Sequence, residues 1–124
     1  MYKEETKFWH EIRKHKSKIS WTRLENSAAH GTPDLLGYND NSTFFTVELK
    51  LKKVKKISFS PHQIAFHIKH PKNTFIMVKD WPKALGQGAI KLYEGTEIHA
   101  LVGGTHPTPV ACGLSACCLF LERL

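Results

Sequence analysis

The chain has 124 residues, 41% of them apolar and 23% charged, with 18 Lys and Arg against 11 Asp and Glu. That length suits a single hydrophobic core, and the composition excludes a disordered chain, a disulfide scaffold and a membrane-spanning protein, so a soluble domain is expected. Residues 1–56 hold twelve of the basic and seven of the acidic side chains, which predicts a positive patch on the N-terminal half, either a solvated surface or a seat for a polyanion such as nucleic acid.

The opening MYKEETKFWH alternates charge with aromatics and lacks the apolar run of a secretory signal. Cys112, Cys117 and Cys118 are odd in number and lack Cys-x-x-Cys spacing, so reduced thiols and a cytoplasmic location are expected. Residues 3–16 place Phe8, Trp9 and Ile12 on one helical face, which Glu5 shares. ISWTRLEN, residues 19–26, has the β-branched and aromatic content of a strand; AAHGTP then turns the chain into a second short strand, Leu35 to Tyr38. A tight turn at Asn39, Asp40 and Asn41 leads to residues 43–51, TFFTVELKL. There Phe45, Val47, Leu49 and Leu51 face one way and Thr46, Glu48 and Lys50 the other, the pattern of a strand with one apolar face.

After the basic run KLKKVKK, Ser60 has the chemistry of an N-cap and Pro61 that of the first helical position, predicting a helix over 61–70. TFIMVK, residues 74–79, reads as a strand covered on both faces, joined to 43–51 by a parallel crossover through that helix. Residues 89–101 suggest a further strand or a hairpin around Glu94-Gly95, and GGTHPTP a loop before the apolar segment Leu114 to Leu121. The expected architecture is one α/β domain over 1–124, a mixed central sheet flanked by helices, with residues 100–124 of open role.

Phosphodiester hydrolysis requires an activated water and neutralisation of negative charge, and Mg²⁺ held by carboxylates supplies both. Pro33 fixes the backbone entering Asp34 at the start of a strand, and Glu48 and Lys50, two apart on one strand, point from the same face. A carboxylate is thus placed beside an ammonium able to orient the attacking water or stabilise the transition state. The plain alternative is a salt-bridged Glu48–Lys50 pair on a solvated sheet face.

In order and spacing, Gly31-Thr32-Pro33-Asp34-Leu35-Leu36, Val47-Glu48-Leu49-Lys50 and Ser60-Pro61-His62-Gln63 resemble the PD-(D/E)XK nuclease superfamily, and within it the VRR-NUC and archaeal Holliday junction resolvase branches. The resemblance spans residues 3 to about 80. It implies a restriction-endonuclease-like fold and an Mg²⁺-dependent DNA endonuclease, with Mn²⁺ as a substitute. Asp34 and Glu48 would bind the metal, Glu5 would be the helix-borne acid completing the site with Glu4 as its rival, Lys50 would serve the water and the transition state, and Gln63 would lie near the metal or the scissile phosphate. The basic segment after the Glu-x-Lys strand is longer than usual in that superfamily, and residues 100–124 match nothing in it.

Lys52, Lys53, Lys55 and Lys56 leave the catalytic strand directly and are candidate phosphate contacts, with Arg23 beside Trp21 a further one. His67 and His70 lack the pattern of a zinc helix and are expected at the surface or against phosphate. The segment CGLSACCLFLERL offers an apolar surface that either packs on the sheet or joins two copies. The resemblance to junction resolvases implies a homodimer acting on branched DNA, and the small size suits a phage or mobile-element nuclease. A different class of reading is a non-catalytic nucleic-acid-binding module. Asp34 tells against it, because a carboxylate on a phosphate-binding surface repels its ligand unless a cation intervenes.

Overall fold

In the computed structural model, residues 2–24, 31–53, 57–80 and 89–124 are described. The first helix, α1 (Tyr2–Lys14), follows the apolar spacing of the sequence: Phe8 and Ile12, one turn apart, are fully buried, and Trp9 lies beside them. The next strands are β1 (Ser20–Arg23) and β2 (Leu35–Tyr38), followed by β3 (Phe44–Lys52). Antiparallel pairing sets Trp21 against Gly37 and Leu35 against Val47. Asn39, at the turn between β2 and β3, is buried and holds it through its own side chain, whose Oδ1 accepts from the backbone N–H groups of Asn41 and Thr43.

Helix α2 (Pro61–Lys69) opens with the expected cap: Ser60 Oγ accepts from Gln63 N, and the Gln63 side chain accepts from Ser60 N. It carries the chain across to β4 (Thr74–Asp80), which pairs parallel with β3, Glu48 standing opposite Ile76. Strand β5 (Ile90–Glu94) pairs antiparallel with β4, and the two-residue β6 (Ala111–Cys112) closes the sheet at the edge opposite β1. The strands lie in sequence order, and among the described residues the single parallel pair is β3–β4.

No hairpin forms at Glu94-Gly95. The chain leaves β5 through a 3-10 turn (Gly95–Glu97) into α3 (Ile98–Val102), and Gly95 there is pressed against Thr74 and His67, where a Cβ would lie 2.7 Å from His67 Cδ2. The last helix, α4 (Leu114–Glu122), packs on the sheet and buries Cys117, Cys118 and Leu121.

Two clusters of apolar side chains lie on the two faces of the sheet. The larger joins α1 and α4 to Leu35, Phe45, Val47, Leu49, Phe75, Met77 and Leu92. The smaller gathers Ile76, Val78, Tyr93, Ile98 and Leu101, with Ile57, Phe59 and Ile64 packed against it. Outside them, Lys79 on β4 pairs with Glu11 on α1 at 2.7 Å. Among the described residues no helix is long and apolar enough to cross a membrane.

Candidate active site

Glu48 and Lys50 emerge from β3 on the face covered by α2, as the alternation of the strand requires. Glu48 does not stand on a solvated surface: α2 lies over it and leaves it 2% exposed. Nor is it salt-bridged to Lys50. The side-chain amide of Gln63 stands between them, Nε2 donating to Glu48 Oε2 at 2.9 Å and Oε1 accepting from Lys50 Nζ at 2.8 Å. The same Oε1 accepts from Ser60 N at 3.0 Å. Two donors converging on one amide atom identify it as the oxygen and so fix which end of the amide meets the carboxylate.

Asp34 reaches this place from the start of β2. Just beyond the last β2–β3 pair, Leu35 with Val47, the N–H of Leu49 is taken by Asp34 Oδ2 at 2.7 Å, while the Asp34 carbonyl accepts from Leu24 N and ties the residue to the end of β1. Gly31, at φ +82°, lies against the backbone carbonyl of His62, so the loop before Asp34 touches the first turn of α2 with no room for a side chain between them.

The electrostatics record the crowding of like charges. Burial pushes the Glu48 carboxyl well above the usual carboxylate range, the charge of Asp34 pushes it further, and Lys50 opposes both. Glu5, on the face of α1 that carries Phe8 and Ile12, is raised first by burial and then by Asp34, with Lys50 and Arg23 pulling it down. Glu48 Oε1 is buried without a hydrogen-bond partner among the described residues. A buried, unpartnered carboxylate oxygen beside a second carboxylate suits a hard cation, and Asp34, Glu48 and Glu5 offer the oxygen donors such an ion prefers. Glu5, Asp34 and Glu48 do not close into a three-ligand cluster, and among the described residues no other three His, Cys, Asp or Glu do so.

Asp34, Glu48, Lys50 and Gln63 therefore meet, and Glu5 and Arg23 lie within electrostatic reach of them. Lys52 and Lys53 lie at the far end of β3, Lys52 half-buried and Lys53 exposed. Lys55, Lys56, Trp81 and the side chain of Glu4 lie outside the described residues. Trp21 is half-buried and packs edge-on against Phe45, ring centroids 5.6 Å apart.

The expectation for His67 is corrected. It is buried, its Nδ1–H donates to the Gln63 carbonyl at 2.9 Å, and burial lowers its pKa towards the neutral ring. Helical spacing with His70 could not show that Gly95 packs against it and that it points into the fold. His70 is exposed and lies against Phe66, centroids 4.3 Å apart. Sequence reasoning also missed Phe59, whose ring lies under Lys50 Nζ at 4.9 Å; a lone aromatic in a link between strand and helix carries no periodic signal. No family model, no curated protein and no solved structure matches the chain.

Proposed function

We propose that this chain is an Mg²⁺-dependent DNA endonuclease of the PD-(D/E)XK type, with a restriction-endonuclease-like fold and a site formed by Asp34, Glu48, Lys50 and Gln63. The observation that carries the reading is the Gln63 amide interposed between Glu48 and Lys50. Had the two charges neutralised each other in a structural ion pair, neither would be left for chemistry. Separated from the ammonium by a neutral amide, the Glu48 carboxyl keeps an oxygen beside Asp34 that a cation could take in place of its proton, and the ammonium keeps donors for a phosphate.

Asp34 and Glu48 would hold the metal, with Glu5 the third acid. A bound Mg²⁺ supplies charge neutralisation at the phosphodiester and lowers the pKa of water at the site. The chain's own groups do the rest. Lys50 meets the negative charge that grows on the phosphate oxygens in the transition state, where a fixed ammonium in a partly dry site acts more strongly than in water. Gln63 holds Lys50 and Glu48 at a set separation, so neither has to be reorganised as the bond breaks. Arg23, with Lys52 and Lys53 at the far end of β3, would take the flanking phosphates, and Lys55 and Lys56 continue the same basic run.

A non-catalytic nucleic-acid-binding module shares the basic N-terminal half, and the lack of a closed three-ligand cluster among the described residues favours it. It gives no reason for burying Glu48 beside Asp34, a placement that repels phosphate. As a nuclease, the protein is proposed to act on branched DNA as a homodimer in the cytoplasm, in a phage or mobile-element setting. Helix α4 supplies little of a subunit interface, since Cys117, Cys118 and Leu121 are committed to the core and Leu119 is its one large exposed apolar residue.

The test is cleavage of a panel of branched, nicked, single-stranded and linear DNAs with Mg²⁺ and in EDTA, with Asp34→Asn as control and light scattering for the subunit count. Mg²⁺-dependent cutting lost in Asp34→Asn is expected. Binding without cleavage on every substrate would favour the module, and a monomer that cuts junction and duplex alike would remove the dimer and the branched preference alone.

A further inference from the structure

Lys50 is held in an unusual way for a lysine beside acids. Its Nζ donates to an amide oxygen, Gln63 Oε1, at 2.8 Å and lies 4.9 Å from the centroid of the Phe59 ring. It forms no ion pair with Glu48 or Asp34 among the described residues, although both carboxylates feel or exert charge at this place. Both of its close partners are therefore neutral. An aromatic face attracts a cation through its quadrupole without consuming any of its N–H donors, whereas a carboxylate would take a donor and cancel the charge.

Phe59 is itself fixed. It is half-buried and packs against the smaller apolar cluster with Ile57 and Ile64. The residue after it, Ser60, donates its N–H to the very oxygen that accepts from Lys50. Ring and amide thus enter the site from adjacent segments tied together by the cap of α2, one beneath the ammonium and one beside it.

From this geometry we infer that Phe59 is a positioning residue for Lys50, acting through its ring face to hold the ammonium directed at the substrate phosphate without taking up any of its N–H donors. The inference rests on the nuclease reading and adds to it a group that acts through Lys50. Replacement by Leu preserves apolar bulk for the Ile76, Val78 and Ile64 cluster and removes the π face, whereas Tyr or Trp restores a face.

The experiment has two arms. In Mg²⁺-dependent cleavage of DNA, Phe59→Leu is expected to lower kcat about tenfold with KM little changed, and Phe59→Tyr or Phe59→Trp to recover most of the loss. By NMR of the full chain without DNA, the side-chain methylene resonances of Lys50 nearest its nitrogen are expected to be shifted upfield by the ring and to return to ordinary values in Phe59→Leu. Unchanged kcat in Phe59→Leu, or aromatic variants as slow as Leu, overturns the inference. So does an unshifted Lys50, whether or not DNA is cut. A shifted Lys50 in a protein that cleaves no DNA leaves the contact in place and overturns both the nuclease reading and the catalytic part of the inference.

Discussion

The two faces of the sheet follow different rules. Under α1 and α4, aliphatic, aromatic and thiol side chains close the larger cluster, and Phe8, Ile12, Leu35, Val47, Met77, Leu92 and Leu121 are all fully buried. Under α2 and α3 the apolar cluster is smaller, and Thr46 Oγ1, Glu48 Oε1 and His67 Nε2 are buried without partners among the described residues, against Trp21 Nε1 alone beside the larger cluster. Each such atom costs about 1–3 kcal/mol relative to a satisfied one. The comparison teaches that stability and candidate chemistry are separated across one sheet: β3 presents Phe45, Val47 and Leu49 to the first face and Glu48 and Lys50 to the second. Well-packed apolar surface on one side allows the other to keep groups that a folding optimum would remove.

That separation can be broken by substitution on either face. The largest effect is expected on activity: Asp34→Asn, Glu48→Gln and Lys50→Ala should each lower cleavage by on the order of a thousandfold or more, with little loss of DNA binding or melting temperature. Single-turnover assays beside thermal melts check this, and a variant that unfolds as it loses activity would show that the faces are not independent.

The reverse experiment is Leu121→Ala. Deleting a fully buried leucine from the larger cluster should cost about 2–5 kcal/mol, read from urea unfolding, while the rate per folded molecule stays near that of the unaltered chain. A rate that falls with stability would join what the comparison separates.

Alkaline pH should act on both faces, since burial also raises Glu48 and Tyr93 under α2 and α3, and on the α4 side it acts through two thiols. Burial pushes the Cys117 thiol up to about 12, and burial with the Glu122 charge pushes Cys118 up to about 11, from an ordinary value of 9.0. The folded chain then holds these protons when the unfolded chain has released them. Their contribution is full below pH 9 and is lost as pH rises towards 11–12. Urea midpoints between pH 8 and 11 should decline, and less steeply in the Cys117→Ala, Cys118→Ala double variant. At pH 8 a thiol reagent should label exposed Cys112 and spare the other two until the chain unfolds.

The smallest effect belongs to Lys52 and Lys53. Changing both to Ala should weaken DNA binding across sequences and flatten the salt dependence by roughly one unit of log-log slope per lost phosphate contact. An unaltered slope would direct the end of β3 away from DNA.

Much of this arrangement was legible in the residues. The alternation of TFFTVELKL gave β3 and the side from which Glu48 and Lys50 project, and Ser60-Pro61-His62-Gln63 gave the start of α2 with its cap. What remained hidden is tertiary. A period of two says which side chains share a face, but not that α2 would cover that face and bury Glu48. Gln63 could be placed near the site, yet its role between two opposite charges depends on a crossover that brings residues 48, 50 and 63 together. Glu94-Gly95 reads as a turn dipeptide, whereas Gly95 is needed for close approach to Thr74 and His67. The two residues of β6 are too few to show alternation.

The parallel crossover from β3 through α2 to β4 also bears on how the chain folds. Asp34, Glu48, Lys50 and Gln63 come from one continuous stretch, and the contacts joining them span 13 to 15 positions. Helix α4 reaches the β2–β3 turn through Asn39 Nδ2 and Leu121 O across 82 positions. Short loops close at lower entropic cost than long ones. In pulsed hydrogen exchange during refolding, Leu49 and Gln63 amides are expected to gain protection before Cys117, so that the candidate site takes shape before the larger core is sealed. Simultaneous protection would instead mark a single cooperative step.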